Sequence, residues 1–504
     1  MGGATYNRRM DDLSLNTALY RAEEVRAFDR AAIASGIPGI ELMGRAACAG
    51  FAALRRRWPE AWRVLVLAGP GNNGGDGWLL AREAQAYGLQ VQVAELGGQS
   101  RGDAAQARQL ACAAGVTVST EVDEADWTSS QVIVDALFGT GLRRAPQGQA
   151  AAWIARLQGH AAKVLALDIP SGLDADSGAA PGAAVHAAHT VSFVAWKRGL
   201  FTGQGPELRG VAELNDLGIP ARHFRQAEVS ARLLTGPVSL PLRARGAHKG
   251  HFGHVLVVGG ERGFAGAARL CGEAALRAGA GLVSVATRRD HVTALVAARP
   301  ELMVHATEDR EALLQLSQRA TVLAVGPGLG QDHWGTMQWR TALTAGVPMV
   351  LDADGLNLLA SAQLPLPPST ILTPHPGEAG RLLEMSVAAI QDDRFTAVQA
   401  LVERYQAVVV LKGAGTLVAQ PDGRMAVCVA GNPGMASGGM GDVLTGLIAA
   451  LRAQGLTAWD AACLGVNLHA RAADAAARQG GERGLLGSDL FQWIRRGLNG
   501  TGRG

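Results

Sequence analysis

The feature that most constrains this chain is the recurrence of short, largely apolar runs that do not alternate with polar residues and that stop at turns bearing Gly or Asp. In the first half these are RVLVLA (63–68), VQVAEL (91–96), VIVDA (132–136), KVLALD (163–168) and TVSFVA (190–195). Runs of this kind suit strands covered on both faces, the condition of a parallel sheet between helices. Helical patterns at 19–35 and 41–57 precede them. The second half repeats the rhythm with HVLVVGG (254–260), LVSVAT (282–287), TVLAVG (321–326), MVLDA (349–353), STILT (369–373) and AVVVLKG (407–413), together with an Ala-rich helix through Ala278 and a helix-rich end. The expectation is an α/β protein of two three-layer αβα domains. The rhythm fails across Pro220–Pro241, which puts the boundary near 230 and the domains at 1–230 and 231–504. The halves share rhythm but no motif, so an internal repeat is not expected.

Composition narrows the classes. A formal net charge of +3 lacks the basic footprint of a dedicated nucleic-acid binder. No run of about 20 apolar residues stands ready to span a bilayer, so no membrane partner is expected. The five cysteines form neither a disulfide ladder nor a CxxC knuckle, and no apolar segment follows Arg8 and Arg9, so a reducing cytoplasm is the expected location. Only four lysines occur, Lys163, Lys197, Lys249 and Lys412, among many arginines, which hints at places where a compact point charge is wanted.

The segment AGPGNNGGDG (68–77) follows a strand and opens a helix. Gly69, Gly71 and Gly74 satisfy the dinucleotide G-x-G-x-x-G pattern, with Glu95 at the next strand end. Asn72, Asn73 and Asp76 add more polar groups than a phosphate turn requires. Two further strand ends carry Asp135, in VIVDALFGTGL, and Asp168 with Ser171, in VLALDIPSGLDAD. Loops at the carboxyl ends of adjacent parallel strands converge on one crevice, so Asn73, Asp135, Asp168 and Ser171 can meet there. Their oxygens suit a hard cation and a spare carboxylate suits proton transfer, although each residue alone is also an ordinary cap or turn former.

The densest signal in the second half is GNPGMASGGMGDVLTGLIAAL (431–451). Gly438, Gly439 and Gly441 free backbone amides to face an anion at a helix start, beside Asp442. As a plain first-turn residue Asp442 would need one glycine before it, not a cluster. KGAGT (412–416) places Lys412 and further amides at another strand end. TPHPGE (373–378) holds His375 between prolines, where a surface role is the plainer reading, and GPGLG (326–330) is one more glycine turn. No lysine precedes Ser or Thr, so there is no P-loop.

Together GPGNNGGDG, VDALFGTG, DIPSG and FVAWKRGL (193–200) resemble the epimerase domain of the NAD(P)H-hydrate repair enzymes, over residues 15–225. The resemblance implies a Rossmann-like domain that interconverts the R and S epimers at C6 of hydrated NADH or NADPH. It implies K⁺ on Asn73, Asp135 and Ser171, and substrate on Asn72, Asn73, Gly74, Gly75, Asp76, Asp168 and the turn Gly139, Thr140, Gly141, Leu142, Arg143, Arg144 and Ala145. Asp168 would be the acid/base. From residue 232 onward, AHKGHFGHVLVVGG (247–260), GAARLCGEAALRAGAGLVSVA (266–286) and the strings above resemble the ribokinase-like dehydratase domain of the same system. That implies ADP-dependent dehydration of the S hydrate, giving AMP and phosphate. Lys412, Gly413, Ala414, Gly415, Thr416 and Gly441 would contact nucleotide, and Ala267, Gly330, His375 and Asp442 the hydrate, with alanines 265, 267 and 268 not separated. Asp442 is the expected base, and Mg²⁺ is expected to bridge the phosphates without a named protein ligand. The expected partners are the hydrates NADHX and NADPHX, ADP and further copies of the chain.

Three rivals remain. A small-molecule kinase fused to a nucleotide-binding domain would use the same anion hole. A non-catalytic dinucleotide sensor would leave Asp168 and Asp442 without purpose. A serine hydrolase rests only on GGQSRG (97–102), which lacks a His and Asp context.

Overall fold

The computed structural model describes residues 16–499 apart from 123, 143, 226, 237–239 and 363. The described chain forms two compact units, the first ending at Arg232 and the second starting at Leu233.

The first unit is built on seven strands: β1 (Arg63–Ala68), β2 (Gln90–Glu95), β3 (Thr117–Ser119), β4 (Val132–Ala136), β5 (Lys163–Leu167), β6 (His189–Phe193) and β7 (Val211–Asn215). All neighbours pair in parallel, in the order β3-β2-β1-β4-β5-β6-β7. The order reverses between β1 and β4, which opens a crevice at their carboxyl ends. Side chains alternate between the faces, and both faces are buried. Val64, Val66 and Val134 pack under α1 (Ala22–Ala34), α2 (Gly39–Arg57) and α3 (Asn72–Ala86), whereas Leu65, Leu67 and Ile133 pack against Trp127, Trp153 and Ile154. The double burial explains the unbroken apolar runs in the sequence. A short strand at Ala18–Tyr20 pairs antiparallel with Ala231–Leu233 and parallel with Trp196–Lys197.

The second unit carries nine strands: β8 (His254–Val258), β9 (Leu282–Thr287), β10 (Met303–Ala306), β11 (Val322–Val325), β12 (Met349–Leu351), β13 (Ile371–Leu372), β14 (Val408–Leu411), β15 (Thr416–Ala419) and β16 (Met425–Cys428). Their order is β10-β9-β8-β11-β12-β13-β14-β15-β16, parallel as far as β14 and antiparallel for the last two pairs. On one face α4 (Ala265–Arg277), α6 (Met440–Ala453) and α7 (Ala458–Gly480) cover Val255, Val283 and Val410. On the other, Leu256, Leu323 and Val409 are equally buried. The expectation of layered α/β units holds in both halves.

Candidate active sites

Two turns meet at the switch point of the first unit. Gly69 closes β1, and a Cβ there would stand 1.9 Å from the Leu137 carbonyl oxygen; a Cβ on Gly74 would stand 1.8 Å from that of Gly69. The G-x-G-x-x-G spacing therefore serves backbone-to-backbone approach of the loops after β1 and β4. The ribose contact that the pattern suggests for Glu95 is not made, because Arg108 grips that carboxylate through two bonds of 2.7 and 2.9 Å.

A cavity of about 660 Å³ opens at this point. Among its lining residues are Asn72, Asn73, Asp76, Gly139, Thr140, Gly141, Leu142, Arg144 and Asp168. Gly74 and Gly75 are buried just behind, in the first turn of α3. Arg143 lies outside the described residues, and Ala145 stands against Gly182.

Asp135 is fully buried near the end of β4 and accepts hydrogen bonds from the Ser171 hydroxyl at 2.6 Å and the Ser171 amide at 2.8 Å. Burial pushes its carboxyl up to about 6 in spite of those bonds. Among the described residues no Lys, Arg or His forms an ion pair with it. Asn73 is also buried, and neither its Oδ1 nor its Nδ2 has a partner. A carboxylate without a cationic partner, a hydroxyl and an orphaned amide oxygen fit a monovalent cation, whose charge would offset the buried negative charge.

Asp168 follows β5 with φ +65°, a left-handed backbone that costs a non-glycine residue of the order of 1 kcal/mol and recurs at functional sites. Its Oδ1 accepts from the ammonium of Lys197, which also bonds Ser192 Oγ at 3.1 Å and the Phe193 carbonyl at 2.6 Å. Lys197 is fully buried, and sequence reasoning did not select it. Its signals were the scarcity of lysine and its place inside FVAWKRGL.

In the second unit the residues named from sequence lie beyond the carboxyl ends of β8, β11, β13 and β14 and in the first turn of α6. Gly330, with φ +73°, donates its amide to Asp354 at 2.9 Å. Ala267 stands over Gly328, whereas Ala268 is wholly buried, so of these two alanines the half-buried Ala267 is the one near the turn. His375 caps α5 (Pro376–Leu383), its Nδ1 accepting from the amides of Gly377 at 2.9 Å and Glu378 at 3.3 Å. Its Nε2 lies 3.4 Å from Glu378 Oε1, and burial followed by the Lys412 charge holds the ring below the usual imidazole range.

At the centre Lys412 Nζ bonds Asp352 Oδ1 at 2.7 Å and lies 3.7 Å from Glu378. Thr445 donates to the second Asp352 oxygen at 2.8 Å. Burial works to raise the Asp352 carboxyl, but the ammonium and these bonds hold it below the usual range. Asp442 is the third residue of α6, just after Gly439 with φ +89°. Burial, then the charges of Asp352 and Asp354, lift it to about 6 against the pull of Lys412. A Cβ on Gly441 would come within 3.3 Å of Asp352 Oδ2 and 3.4 Å of Lys412 Nζ. The loop of Gly413, Ala414, Gly415 and Thr416 links β14 to the antiparallel β15, with the Thr416 hydroxyl closing it onto the Gly413 carbonyl at 2.9 Å. Asp352 and Glu378 were missed, although Asp352 ends an apolar run just as Asp135 and Asp168 do. Among the described residues no group of three or more His, Cys, Asp or Glu is arranged as a metal cage, and no helix is long and apolar enough to cross a membrane.

Residues 39–199 match the family described as YjeF-related protein N-terminus, and residues 255–496 the family described as NAD(P)H-hydrate dehydratase. A bifunctional NAD(P)H-hydrate repair enzyme from Coxiella burnetii is 48% identical, covering 95% of this chain and 99% of that one. One from Escherichia coli is 43% identical over 98% of this chain and 96% of its own. A solved ADP/ATP-dependent NAD(P)H-hydrate dehydratase from Bacillus subtilis is 30% identical, with a TM-score of 0.47, over 51% of this chain and 93% of that chain. Matched along nearly its whole length at this identity, the chain belongs to the family of bifunctional NAD(P)H-hydrate repair enzymes.

Proposed function

We propose that the first unit epimerises hydrated NADH and NADPH at C6 and that the second dehydrates the S epimer with ADP, giving NAD(P)H, AMP and phosphate. The observation that carries this reading is the presence of a separate buried lysine–carboxylate centre in each unit, Lys197 with Asp168 and Lys412 with Asp352, each beside a glycine-rich turn.

In the first unit Asp168, fixed by Lys197, takes and returns the proton of the C6 hydroxyl. Asn73, Asp135 and Ser171 would hold K⁺, which supplies the positive charge that the buried Asp135 otherwise lacks. In the second unit the C6 hydroxyl is a poor leaving group, and phosphorylation makes it a good one. Asp442 takes the hydroxyl proton as the oxygen attacks the terminal phosphoryl of ADP, and the amides of Gly438–Gly441 and the Lys412 ammonium stabilise the transferring charge. Ala267, Gly330 and His375 orient the hydrate. Mg²⁺ would come with the nucleotide phosphates, and its charge suits the surplus of Asp352, Glu378 and Asp442 over the single Lys412.

The test is incubation of chemically hydrated NADH with the protein, with and without ADP, following absorbance at 340 nm and separating both epimers by chromatography. Asp168→Asn should abolish interconversion and leave dehydration of the S form, and Asp442→Asn should do the reverse. K⁺ should support epimerisation better than Li⁺. Phosphoryl transfer to a stable alcohol without recovery of NADH would instead favour a fused small-molecule kinase.

A further inference from the structure

Helix α1 walls one side of the first unit's cavity with Val25, Arg26, Asp29 and Ile33, the spacing of a single helical stripe. Leu42 and Met43 of α2 continue the apolar wall. Arg26 is engaged, since its guanidinium donates to the Thr140 carbonyl at 2.9 Å. Asp29 is not: among the described residues none bonds its half-buried carboxylate. The other charged groups facing the cavity are Asp76, Asp103, Asp168, Arg144 and Lys197, and Lys197 is already committed to Asp168.

Asp29, Asp76 and Asp168 around one ammonium leave surplus negative charge in a part-buried space, which a proton relieves. Burial first, then the repulsion of Asp168, lifts Asp29 to about 6 in spite of Lys197 and the exposed Arg30. Burial, Asp168 and Asp29 lift Asp76 well above the usual carboxylate range. A proton held this way belongs to the pair.

We propose that Asp29, together with Asp76, is the second proton carrier of the epimerase cavity, working opposite Asp168. This rests on the reading of the cavity as the epimerase site. The C6 carbon of the hydrate carries both a hydroxyl and the ring nitrogen N1, so it inverts by opening and reclosing the ring. Asp168 takes the hydroxyl proton, the C6–N1 bond breaks as C6=O forms, and the electron pair stays on N1, which takes a proton from the Asp29–Asp76 pair. Rotation about C5–C6 presents the other carbonyl face. N1 then attacks, returning its proton to the pair while the oxygen recovers its own from Asp168.

The experiment compares wild type, Asp29→Asn and Asp29→Glu as full chains with K⁺ present, measuring R-to-S conversion from about pH 5.5 to 9. Asp29→Asn should lower kcat about 10²-fold and change KM less than about threefold. Its alkaline limb should move to lower pH, because Asp76, freed of a like charge, gives up its proton sooner. Asp29→Glu should regain most of the rate, which a folding defect would not allow. A pH profile superimposable on wild type, or a loss confined to KM, overturns the proposal. Wild-type protein that does not interconvert the epimers overturns the reading of the cavity, and the proposal with it.

Discussion

Asp442 accepts a proton only when ionised, and its surroundings lift it to about 6, so the rate of ADP-dependent dehydration should rise with pH through that value and be lost below it. Replacing Asp354 with Asn removes one of the negative charges that oppose ionisation. The acidic limb of kcat/KM should then move to lower pH, and an unmoved limb would mean that another group titrates. Gly441→Ala separates fold from function at the same site. Alanine suits a helix better than glycine by about 1 kcal/mol, so the melting temperature should hold or rise, while the added methyl presses on Asp352 and Lys412 and raises the KM for ADP. Equal KM values in the two proteins would show that the lysine–carboxylate pair is free to shift. The conspicuous residues of both sites, Asp168 and Asp442 among them, were legible because strand ends and glycine turns announce them. Their partners were not, since Lys197, Asp352 and Asp29 reach the sites across the fold rather than along the chain. The one compositional trace was lysine itself: of the four, two are buried or half-buried beside carboxylates, whereas Lys163 and Lys249 are exposed.

The loop between β14 and β15 owes its shape to Arg394, fully buried on a neighbouring helix. Its guanidinium donates to the carbonyls of Leu411 and Lys412, each at 3.1 Å, and to Gln391 at 2.6 Å, while burial lowers it to about 10. A Cβ on Gly413 would stand 3.0 Å from one of its nitrogens. Arg394→Leu leaves buried carbonyls unsatisfied, a cost of about 1–3 kcal/mol. Denaturant unfolding should show that loss, and calorimetric titration should show weaker ADP binding; unchanged affinity would mean that the loop keeps its form without the arginine. Strands such as β1 and β9 were legible to the residue because both of their faces are buried. The edge strands β3 and β7 were not, for Thr117–Ser119 is too short to make a run and Val211–Asn215 is partly exposed. The β15–β16 hairpin also went unread, although its two strands are as long as β11 and β14.

At the scale of the molecule, each compact unit holds a complete set of the residues proposed for its own reaction. A chain cut near residue 230 would lose the strand Ala231–Leu233 that pairs with Ala18–Tyr20, so the cut belongs after Leu233. That fragment should epimerise hydrate without nucleotide, and the remainder should dehydrate the S epimer with ADP; failure of either piece alone, with its circular dichroism intact, would mean that each reaction draws on both. The strand order of the first unit carries a consequence for how its cavity is born. β1 and β4 are neighbours in space, yet β2, β3 and their helices intervene in the chain, so the crevice beyond Ala68 and Ala136 exists only after a long loop has closed. Local helices form in microseconds and non-local parallel pairing comes late. During refolding, helical signal should therefore return well before the cavity can take its ligand, leaving an interval in which the protein is largely ordered and still inert.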